Sequence, residues 1–225
     1  MTSQPMTNDR LTILITAGPT REAIDPVRFL TNKSSGKMGY SIAEASAKAG
    51  HHVILISGPT NLDVPDRVDY IPVESTQEMY DAVEHWIGKS DVAIFAAAVA
   101  DYRPAVVPQQ KIKKTGDTMT LKLVKNPDIL GSARSEFGYK GVLVGFAAET
   151  ENLEDNARGK LERKGCDLVV ANDVSRKDIG FDVNENEILL VFPDHTEQPP
   201  KDSKHHLAHV ILEHALNLST LGNSD

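Results

Sequence analysis

The chain has 225 residues, of which 40% are hydrophobic and 25% are charged, a composition typical of globular domains and not of disordered segments. Its formal net charge of −8 argues against nucleic acid as a general partner, so any bound anion must be held by locally placed cations. The single cysteine, Cys166, excludes an internal disulfide and a four-cysteine zinc site.

The first ten residues, 1–10, are polar and predict a flexible tail, because they have neither the apolar centre of a signal peptide nor the basic character of a transit peptide. The longest apolar run, around 92–100, is about half of the ~20 residues that span a bilayer. We therefore expect residues 11–225 to form one soluble, cytoplasmic domain that has neither membrane nor nucleic acid as a partner.

Predicted strands and helices alternate along the rest of the chain. The apolar, β-branched run Leu11–Thr16 stops at the turn Ala17–Thr20, as a buried strand does. The later patterns predict a helix at 41–49, a strand at 53–56, a helix at 76–86, a strand at 92–97, a helix at 128–136, a strand at 142–146, a helix at 153–164, strands at 168–170 and 187–192, and a helix at 205–218. Such alternation favours right-handed crossovers, so the fold class is α/β, with a doubly wound, mostly parallel Rossmann-like sheet covered on both faces.

One stretch, Arg103–Asn126, breaks this alternation and is predicted to form a projecting β-hairpin flap. Within it, Met119–Leu123 alternates apolar and polar residues behind the turn-forming Thr115–Asp117. A projecting hairpin cannot bury the apolar side of such a strand within its own subunit, so we expect a homodimer.

Ligands of an open parallel sheet bind beyond the carboxyl ends of its strands, so the turns that follow the predicted strands should share one edge. These turns contain most of the polar residues of interest: Gly18–Thr20, Ser57–Pro59, Ala100–Asp101, Glu149 and Asn172–Asp173. Taken singly, each turn is also explained by glycine and proline residues that merely end a strand.

The segment Asn32–Gly39 precedes the first predicted helix and supplies serine hydroxyls and glycine N–H groups suited to a phosphate at the helix N-terminus. An ordinary serine cap with flexible glycines is the alternative. The segment is not a Walker loop, because Met38 follows Gly36-Lys37. The dinucleotide fingerprint is absent too, and Ser57-Gly58 stands where a carboxylate would bind a ribose, which argues against an NAD-linked oxidoreductase.

Lysines cluster around the flap and on one helix. Lys111–Lys114 and Lys125–Asp128 bracket the flap, where they either neutralise a triphosphate when the flap closes or form a solvated hairpin face. Lys160 and Lys164 lie four residues apart on one helix face, which is either a nucleotide clamp or an exposed amphipathic surface.

The histidines and the cysteine indicate no separate chemistry. His205 and His209 have metal-ligand spacing on a helix, but no third ligand or general-base glutamate accompanies them. Cys166 precedes a predicted strand with no partner histidine nearby, so we interpret it as a small buried hydrophobe and not as a nucleophile.

Eight motifs in one order, from about Leu11 to the C-terminal helix, closely resemble those of bacterial phosphopantothenate-cysteine ligase. The motifs are Ile15–Glu22, Asp25–Arg28, Asn32 with Ser34–Gly39, Ala97–Tyr102, Lys111–Lys114, Lys125–Asp128, Gly145–Thr150 and Ala171–Val174. In many bacteria this ligase is the C-terminal half of a bifunctional coenzyme A biosynthesis protein that begins with a flavin-dependent decarboxylase. Because only a short tail precedes the first strand, we expect a stand-alone ligase or an excised domain, with such a decarboxylase, fused or separate, as a further partner.

The resemblance implies condensation of 4′-phosphopantothenate with L-cysteine, driven by CTP and Mg²⁺. A carboxylate is a poor electrophile, so it first attacks the α-phosphate of CTP and gives an acyl-cytidylate and pyrophosphate. The cysteine amine then displaces CMP. Such transfers depend on positioning and charge stabilisation, which explains why no Ser-His-Asp or Cys-His group is needed.

The resemblance also implies roles for single residues, carried over by position. Asn32 would stabilise the acyl-cytidylate, Arg28 would orient the incoming cysteine, and Lys111 would act in catalysis. The residues implied to hold the substrate phosphate are Gly18, Ser35, Gly36 and Gly39. The residues implied to bind the nucleotide are Phe95, Ala96, Ala97, Asp101, Lys111, Pro127, Asp128, Ile129, Leu130, Phe146, Lys160 and Lys164, with Phe95 and Leu130 acting through their backbone groups.

The ligands of the metal stay unknown at this stage. A different function class is also open, in which a doubly wound module binds a phosphorylated ligand without turnover and the lysine flap is only a contact between subunits. For Asn32 the alternative to catalysis is a cap on the serine-glycine turn, where an aspartate would serve equally well.

Overall fold

The computed structural model describes residues 10–114, 116–173 and 185–221; the predicted tail up to residue 9, Thr115 and Val174 lie outside the described residues. The helices are α1 (Lys37–Lys48), α2 (Thr76–Ile87), α3 (Ile129–Ser135), α4 (Leu153–Lys164) and α5 (Lys204–Leu221). The strands are β1 (Thr12–Ala17), β2 (Arg21–Asp25), β3 (Arg28–Thr31), β4 (His52–Ser57), β5 (Val68–Pro72), β6 (Val92–Phe95), β7 (Tyr102–Pro104), β8 (Leu123–Lys125), β9 (Val142–Glu149), β10 (Leu168–Asp173), β11 (Glu185–Asn186), β12 (Leu189–Val191), β13 (Thr196–Glu197) and β14 (Asp202–Ser203).

Eight strands form the central sheet in the order β13-β12-β10-β9-β6-β1-β4-β5. The strands from β10 to β5 are parallel, whereas β12 and β13 are antiparallel additions at one edge. From β1 the chain winds outward to β4 and β5, then crosses back to β6 and winds outward through β9 and β10. The sheet is therefore doubly wound and mostly parallel, as predicted, and its strand order reverses between β1 and β6.

Both faces of the sheet are buried, and β1 shows this most directly. On one face, Ile13 and Ile15 belong to a buried cluster that includes residues of α1 and α5, whereas on the other face Leu14 belongs to a cluster that includes residues of α2, α3 and α4. All three side chains are fully buried. A strand buried on both faces is a continuous apolar run, which is why the sequence pattern located these strands. Within the described part of the chain, no helix combines the length and apolar character that a membrane crossing requires.

The sequence patterns predicted the central strands of the main sheet better than the hairpin and the edge strand beside them. The predicted helices and the predicted strands of the central sheet are present, although α1 begins at Lys37, earlier than expected. The hairpin of Arg21–Asp25 and Arg28–Thr31 was not predicted, nor was the edge strand Val68–Pro72. These segments are polar or only partly buried, so they have no apolar run that would identify them.

The predicted position of the flap strand is wrong. Among the described residues of the flap, regular strand pairing occurs only at the base, where Tyr102–Pro104 pairs antiparallel with Leu123–Lys125. Residues 119–122 of the predicted strand are not in a strand. One further backbone hydrogen bond follows this pairing, from the Ala105 N–H to the Lys122 carbonyl at 2.9 Å. Farther along, Pro108 has no N–H with which to extend the ladder.

The flap leaves apolar side chains in contact with solvent in the single chain. Val106 and Met119 are 79% and 54% exposed. The expectation of a homodimer therefore stays a prediction, which light scattering at micromolar concentration tests directly. A monomer at that concentration would contradict it.

Helix α2 offers a second test, because it begins with a capping box. The Ser75 hydroxyl accepts from the Glu78 N–H at 3.2 Å, and the Glu78 carboxylate accepts from the Ser75 N–H at 3.4 Å. We expect Ser75→Ala to lower the free energy of unfolding by ~0.5–2 kcal/mol, since it leaves a helix N–H without this acceptor. Urea denaturation measures the change, and Ser75→Asp, which keeps an acceptor, should recover most of it. Equal stability of the two variants would contradict the assigned cap.

Candidate active site

A cavity of about 1110 Å³ lies at the carboxyl edge of the sheet, where β1, β6, β9 and β10 end. Its walls come mainly from segments 32–39, 95–102 and 125–130 and from one face of α4. The prediction that the strand-end turns share this edge is correct, and Ala100, Asp101, Glu149 and Asn172 line the cavity. Gly18–Thr20 and Ser57–Pro59 follow the neighbouring parallel strands β1 and β4 at the same edge without lining this cavity, and Ser57 and Pro59 border a separate cavity of about 350 Å³.

One end of the cavity is the N-terminus of α1. Its N-cap is Gly36, with φ of 76° and no side-chain cap, so the interpretation as an ordinary serine cap is wrong at this residue. Segment 34–39 lines the cavity throughout. Because the first N–H groups of a helix have no acceptor within it, this end of the cavity is suited to an anion.

Glycines allow α1 to start directly against the end of β1. A methyl group added at Gly39 would lie 2.6 Å from Cβ of Ala17, and one added at Gly36 would lie 2.8 Å from Cγ2 of Thr60 and 3.3 Å from Cα of Gly18. Gly18 itself has φ of 70° and supports Gly36 from behind, without lining the cavity. Only glycine fits these positions without displacing a neighbour.

The loop that follows β6 forms the middle of the cavity and is held by hydrogen bonds to its backbone. The N–H of Ala98 donates to the carbonyl of Gly18 at 2.9 Å. Nδ2 of Asn32 donates to the carbonyls of Ala98 at 3.3 Å and of Val99 at 2.9 Å. The amide of Asn32 therefore fixes the loop through its donor, which is a different role from a cap on the serine-glycine turn.

The far end of the cavity carries a lysine pair and a carboxylate. Nζ of Lys164 contacts Oδ2 of Asp128, whose Oδ1 accepts from the N–H of Gly131 at 3.0 Å as the N-cap of α3. Burial opposes ionisation of Asp128, but the hydrogen bonds from Lys164 and Gly131 outweigh it, so the pKa of Asp128 is lowered. Lys164 and Asp128 thus form an ion pair beside the N-terminus of α3.

Lys160 lies one turn from Lys164 on the same face of α4, and both line the cavity. Nζ of Lys160 donates to the carbonyl of Phe146 at 2.5 Å, and burial lowers the pKa of this amine. The face is therefore part of the cavity wall and not an exposed amphipathic surface. A cation held in a partly desolvated wall interacts more strongly with an anion than one in open solvent does.

Arg28 and Lys111 do not line the cavity. Nη2 of Arg28 donates to Oδ2 of Asp25 at 2.5 Å and to the carbonyl of Ile112 at 3.2 Å, and the Ile112 N–H donates to Asp25 Oδ2 at 3.1 Å. The Arg28 hydrogen bond holds the pKa of Asp25 well below its usual range. The β2–β3 hairpin thus fastens the flap at Ile112, and Lys111 lies beside this contact.

The structure brings together most of the residues that the resemblance assigned. Those on the cavity wall are Asn32, Ser35, Gly36, Gly39, Phe95, Ala96, Ala97, Asp101, Pro127, Asp128, Ile129, Leu130, Phe146, Lys160 and Lys164. Those away from it are Gly18, Arg28 and Lys111. The individual roles of all these residues stay predictions, since contact with a cavity does not identify what fills it.

Several polar residues of the wall were not assigned from the sequence: Asn126, Glu149, Asn156, Arg163, Asn172, Asn186 and Lys204. Glu149 and Asn172 lie in turns that follow predicted strands, so the rule that ligands bind beyond strand ends does point to them. Asn156 and Arg163 share the helix face of Lys160, which helical spacing could have shown. Asn186 and Lys204 carry no such signal.

The residues considered for other chemistry lie apart from this cavity. The rings of His205 and His209 are in edge contact at 4.9 Å on α5. Among the described residues, no group of three or more His, Cys, Asp or Glu could hold a metal ion. Cys166 is buried as expected, and burial raises the pKa of its thiol to about 12, so it is a poor nucleophile.

Comparison with known proteins assigns the chain to a family. The family model of the DNA/pantothenate metabolism flavoprotein C-terminal domain matches residues 9–218. The chain belongs to this family. The resemblance carried by the eight motifs is therefore confirmed at the level of the family.

Named members of the family include bifunctional proteins. The chain is 50% identical over 212 residues to the coenzyme A biosynthesis bifunctional protein CoaBC of Vibrio parahaemolyticus, covering 93% of this chain and 53% of that protein. It is 45% identical over 206 residues to CoaBC of Escherichia coli K12, with coverages of 90% and 51%. The chain thus spans about half the length of the curated relatives it matches.

A solved structure of the family supports the fold. The crystal structure of the C-terminal domain of CoaBC superposes with a TM-score of 0.78 at 41% identity, and the match covers 93% of this chain and 97% of that one. The doubly wound α/β fold is therefore shared with the C-terminal half of the bifunctional relatives.

The contact between α1 and β1 predicts the effect of adding one methyl group. We expect Gly39→Ala to lower the free energy of unfolding by ~1–3 kcal/mol, because its Cβ would overlap Ala17. Gly88→Ala is the matched control, since Gly88 has φ of −67° and nothing within 4 Å of an added Cβ. Urea denaturation compares the two, and equal effects would contradict the close packing at Gly39.

Proposed function

We propose that this domain joins 4′-phosphopantothenate to L-cysteine, with CTP as the energy source, and gives 4′-phosphopantothenoyl-cysteine, CMP and pyrophosphate. The observation that carries the proposal is that one cavity has a helix N-terminus suited to an anion at one end and Lys160 and Lys164 at the other. A phosphorylated acid and a nucleoside triphosphate can bind there together, so that the carboxylate of the acid meets the α-phosphate of the nucleotide between the two ends.

Two transfers complete the reaction. In the first, a carboxylate oxygen of phosphopantothenate bonds to the α-phosphorus of CTP, and the bond to the β-phosphate breaks with release of pyrophosphate. In the second, the cysteine amine attacks the acyl carbon, CMP leaves with the bonding electron pair, and the amine loses a proton. Neither step requires a protein nucleophile, so the protein acts by positioning and charge stabilisation.

The proposed roles of the residues follow from their places in the cavity. The α1 N-terminus, with Ser35, Gly36 and Gly39, binds the phosphate of phosphopantothenate. The middle loop, held by Asn32, places the backbone of Ala96 and Ala97 between the two substrates. Lys160 and Lys164 face the phosphates of CTP, which compete with Asp128 for Lys164.

Mg²⁺ is proposed to enter with CTP. This ion usually binds phosphate oxygens, waters and one or two carboxylates, so it needs no cage built by the protein. Asp101 and Glu149 are carboxylates on the cavity wall and supply that number of ligands. Bound there, the ion would neutralise charge on the phosphates of CTP.

A partner activity is also proposed. Since the relatives are bifunctional and this chain spans about half of their length, we propose that a flavin-dependent decarboxylase, fused or separate, acts on the product in the cytoplasm.

Pyrophosphate release tests the proposed reaction against binding without turnover. The purified chain is mixed with phosphopantothenate, cysteine and Mg²⁺, and each of the four nucleoside triphosphates is added in turn. We expect release with CTP that stops when phosphopantothenate is omitted. No release with any nucleotide would favour the binding module.

Lys111 is expected to act only when the flap moves, since it lies outside the cavity here. We expect Lys111→Ala to lower kcat/KM for CTP by about 10- to 100-fold, the loss of one charge-assisted hydrogen bond. The KM for phosphopantothenate should change little. Lys140→Ala, at an exposed lysine away from the cavity, is the control, and an unchanged CTP dependence in Lys111→Ala would remove Lys111 from the reaction.

Asn32→Asp is expected to stop formation of the acyl-cytidylate. An ionised aspartate is acceptor-only, so it loses the donor to the Ala98 and Val99 carbonyls and adds a negative charge near the acyl phosphate. Rapid-quench detection of the intermediate measures the effect, with thermal melting as the check on folding. A folded Asn32→Asp protein that forms and consumes the intermediate normally would show that Asn32 has no catalytic role.

A further inference from the structure

A buried polar network lies behind the nucleotide half of the cavity. It contains Thr20, Glu22 and Thr76, which are 0%, 4% and 0% exposed, and none of the three lines the cavity. It ends on Ala100 and Asn126, which do line the cavity. The proposed reaction uses none of the three buried residues, although burying a carboxylate is costly unless it is well hydrogen-bonded.

The carboxylate of Glu22 gives the network a direction. Its Oε1 accepts from the N–H of Thr76 at 2.9 Å and from Oγ1 of Thr76 at 2.6 Å. An ionised carboxylate only accepts, and the second possible acceptor of the Thr76 hydroxyl, the carbonyl of Ala100, is farther away at 3.4 Å, so the single hydroxyl proton of Thr76 points to Glu22. The lone pairs of the Thr76 hydroxyl are then left to accept hydrogen bonds.

Those lone pairs orient the next two groups. Oγ1 of Thr20 lies 3.0 Å from Oγ1 of Thr76 and must donate to it, since the Thr76 proton is already used. The Thr20 oxygen then accepts from the N–H of Ala100 at 2.9 Å. The donors therefore run in one direction, from Ala100 through Thr20 and Thr76 to Glu22.

Asn126 connects the same residues to the flap. Its Nδ2 donates to the carbonyl of Ala100 at 2.8 Å and to Oγ1 of Thr76 at 3.2 Å. Its Oδ1 accepts from Nη1 of Arg103 at 2.8 Å, and its N–H donates to the carbonyl of Asp101 at 2.9 Å. Ala100 is thus held at both its N–H and its carbonyl, and the base of the flap is tied to it.

We infer that Glu22, through Thr76 and Thr20, is a positioning residue that sets the backbone of Ala100 and Asp101 and the exit of the flap at Asn126. The inference rests on the proposed function, because it assigns this loop to CTP. One buried carboxylate orders the hydroxyls, and the ordered hydroxyls fix a loop that contacts the nucleotide. Glu22 itself touches no substrate.

Thr76 offers the sharpest variants. Thr76→Val keeps the shape of the side chain but removes the hydroxyl, whereas Thr76→Ser keeps the hydroxyl. We expect Thr76→Val to raise the KM for CTP about tenfold, with a smaller change in the KM for phosphopantothenate, and Thr76→Ser to restore the CTP value. Ser46→Ala is the matched control, because it removes another buried hydroxyl, which donates to the carbonyl of Ile42 at 2.8 Å.

The chain of donors also predicts how substitutions combine. Thr20→Val together with Thr76→Val should raise the KM for CTP little more than the larger single effect, since either change interrupts the same chain. The inference is overturned if Thr76→Val destabilises the protein as Ser46→Ala does but leaves the KM for CTP unchanged. If the effects of the two substitutions on the KM for CTP were additive, the two hydroxyls would not act in one ordered series of hydrogen bonds, and the inference would be overturned.

A measurement without turnover separates this inference from the proposed function. Amide hydrogen exchange of Ala100 should be slow in the native chain and much faster in both Thr20→Val and Thr76→Val, but unchanged in Ser46→Ala. If the native chain releases no pyrophosphate, the proposed function fails, while the exchange of Ala100 still tests the network. Slow exchange of Ala100 in both valine variants would overturn the inference.

Discussion

The site depends first on the close approach between the end of β1 and the start of α1. Gly39 sits against Ala17 with no room for a methyl group, and Gly36 lies beside Gly18 with both residues at positive φ. Because no side chain separates the strand from the helix, the helix N-terminus opens directly on the sheet edge where the strand order reverses. The rest of the cavity extends from this helix N-terminus, the end that is suited to an anion.

The loop after β6 shows how a site without a nucleophile can be built. Asn32, Thr20 and Asn126 each donate to or accept from its backbone, so three separate segments fix one loop. In the proposed reaction, holding backbone groups in place would lower the cost of bringing two anionic substrates together, because the dipoles would not need to reorganise. Asn126 also joins the loop to the base of the flap, because its Oδ1 accepts from Nη1 of Arg103.

The charge around the cavity depends on where the lysines are placed and not on the net charge of the chain. The chain is acidic, with a net charge of −8, yet Lys160 and Lys164 are placed on the wall of the cavity, and Lys164 is paired with Asp128. In the proposed reaction an incoming phosphate would compete with Asp128 for Lys164, and Asp128 would keep its hydrogen bond from the Gly131 N–H. Partial burial strengthens these interactions relative to those of the solvated surface.

The sequence by itself determined the doubly wound sheet, because strands buried on both faces, such as Thr12–Ala17, are continuous apolar runs. Its motifs also determined the family and most of the cavity wall, including Asn32 and Lys160. Tertiary structure alone decided three features: Arg28 contacts the flap at Ile112 and lies outside the cavity, the flap strand pairs at Leu123–Lys125, and Thr20, Glu22 and Thr76 form one network. The periodicity of apolar residues along the sequence indicates which side chains are buried. The contacts named here join side chains that are distant in sequence, so they leave no periodic pattern.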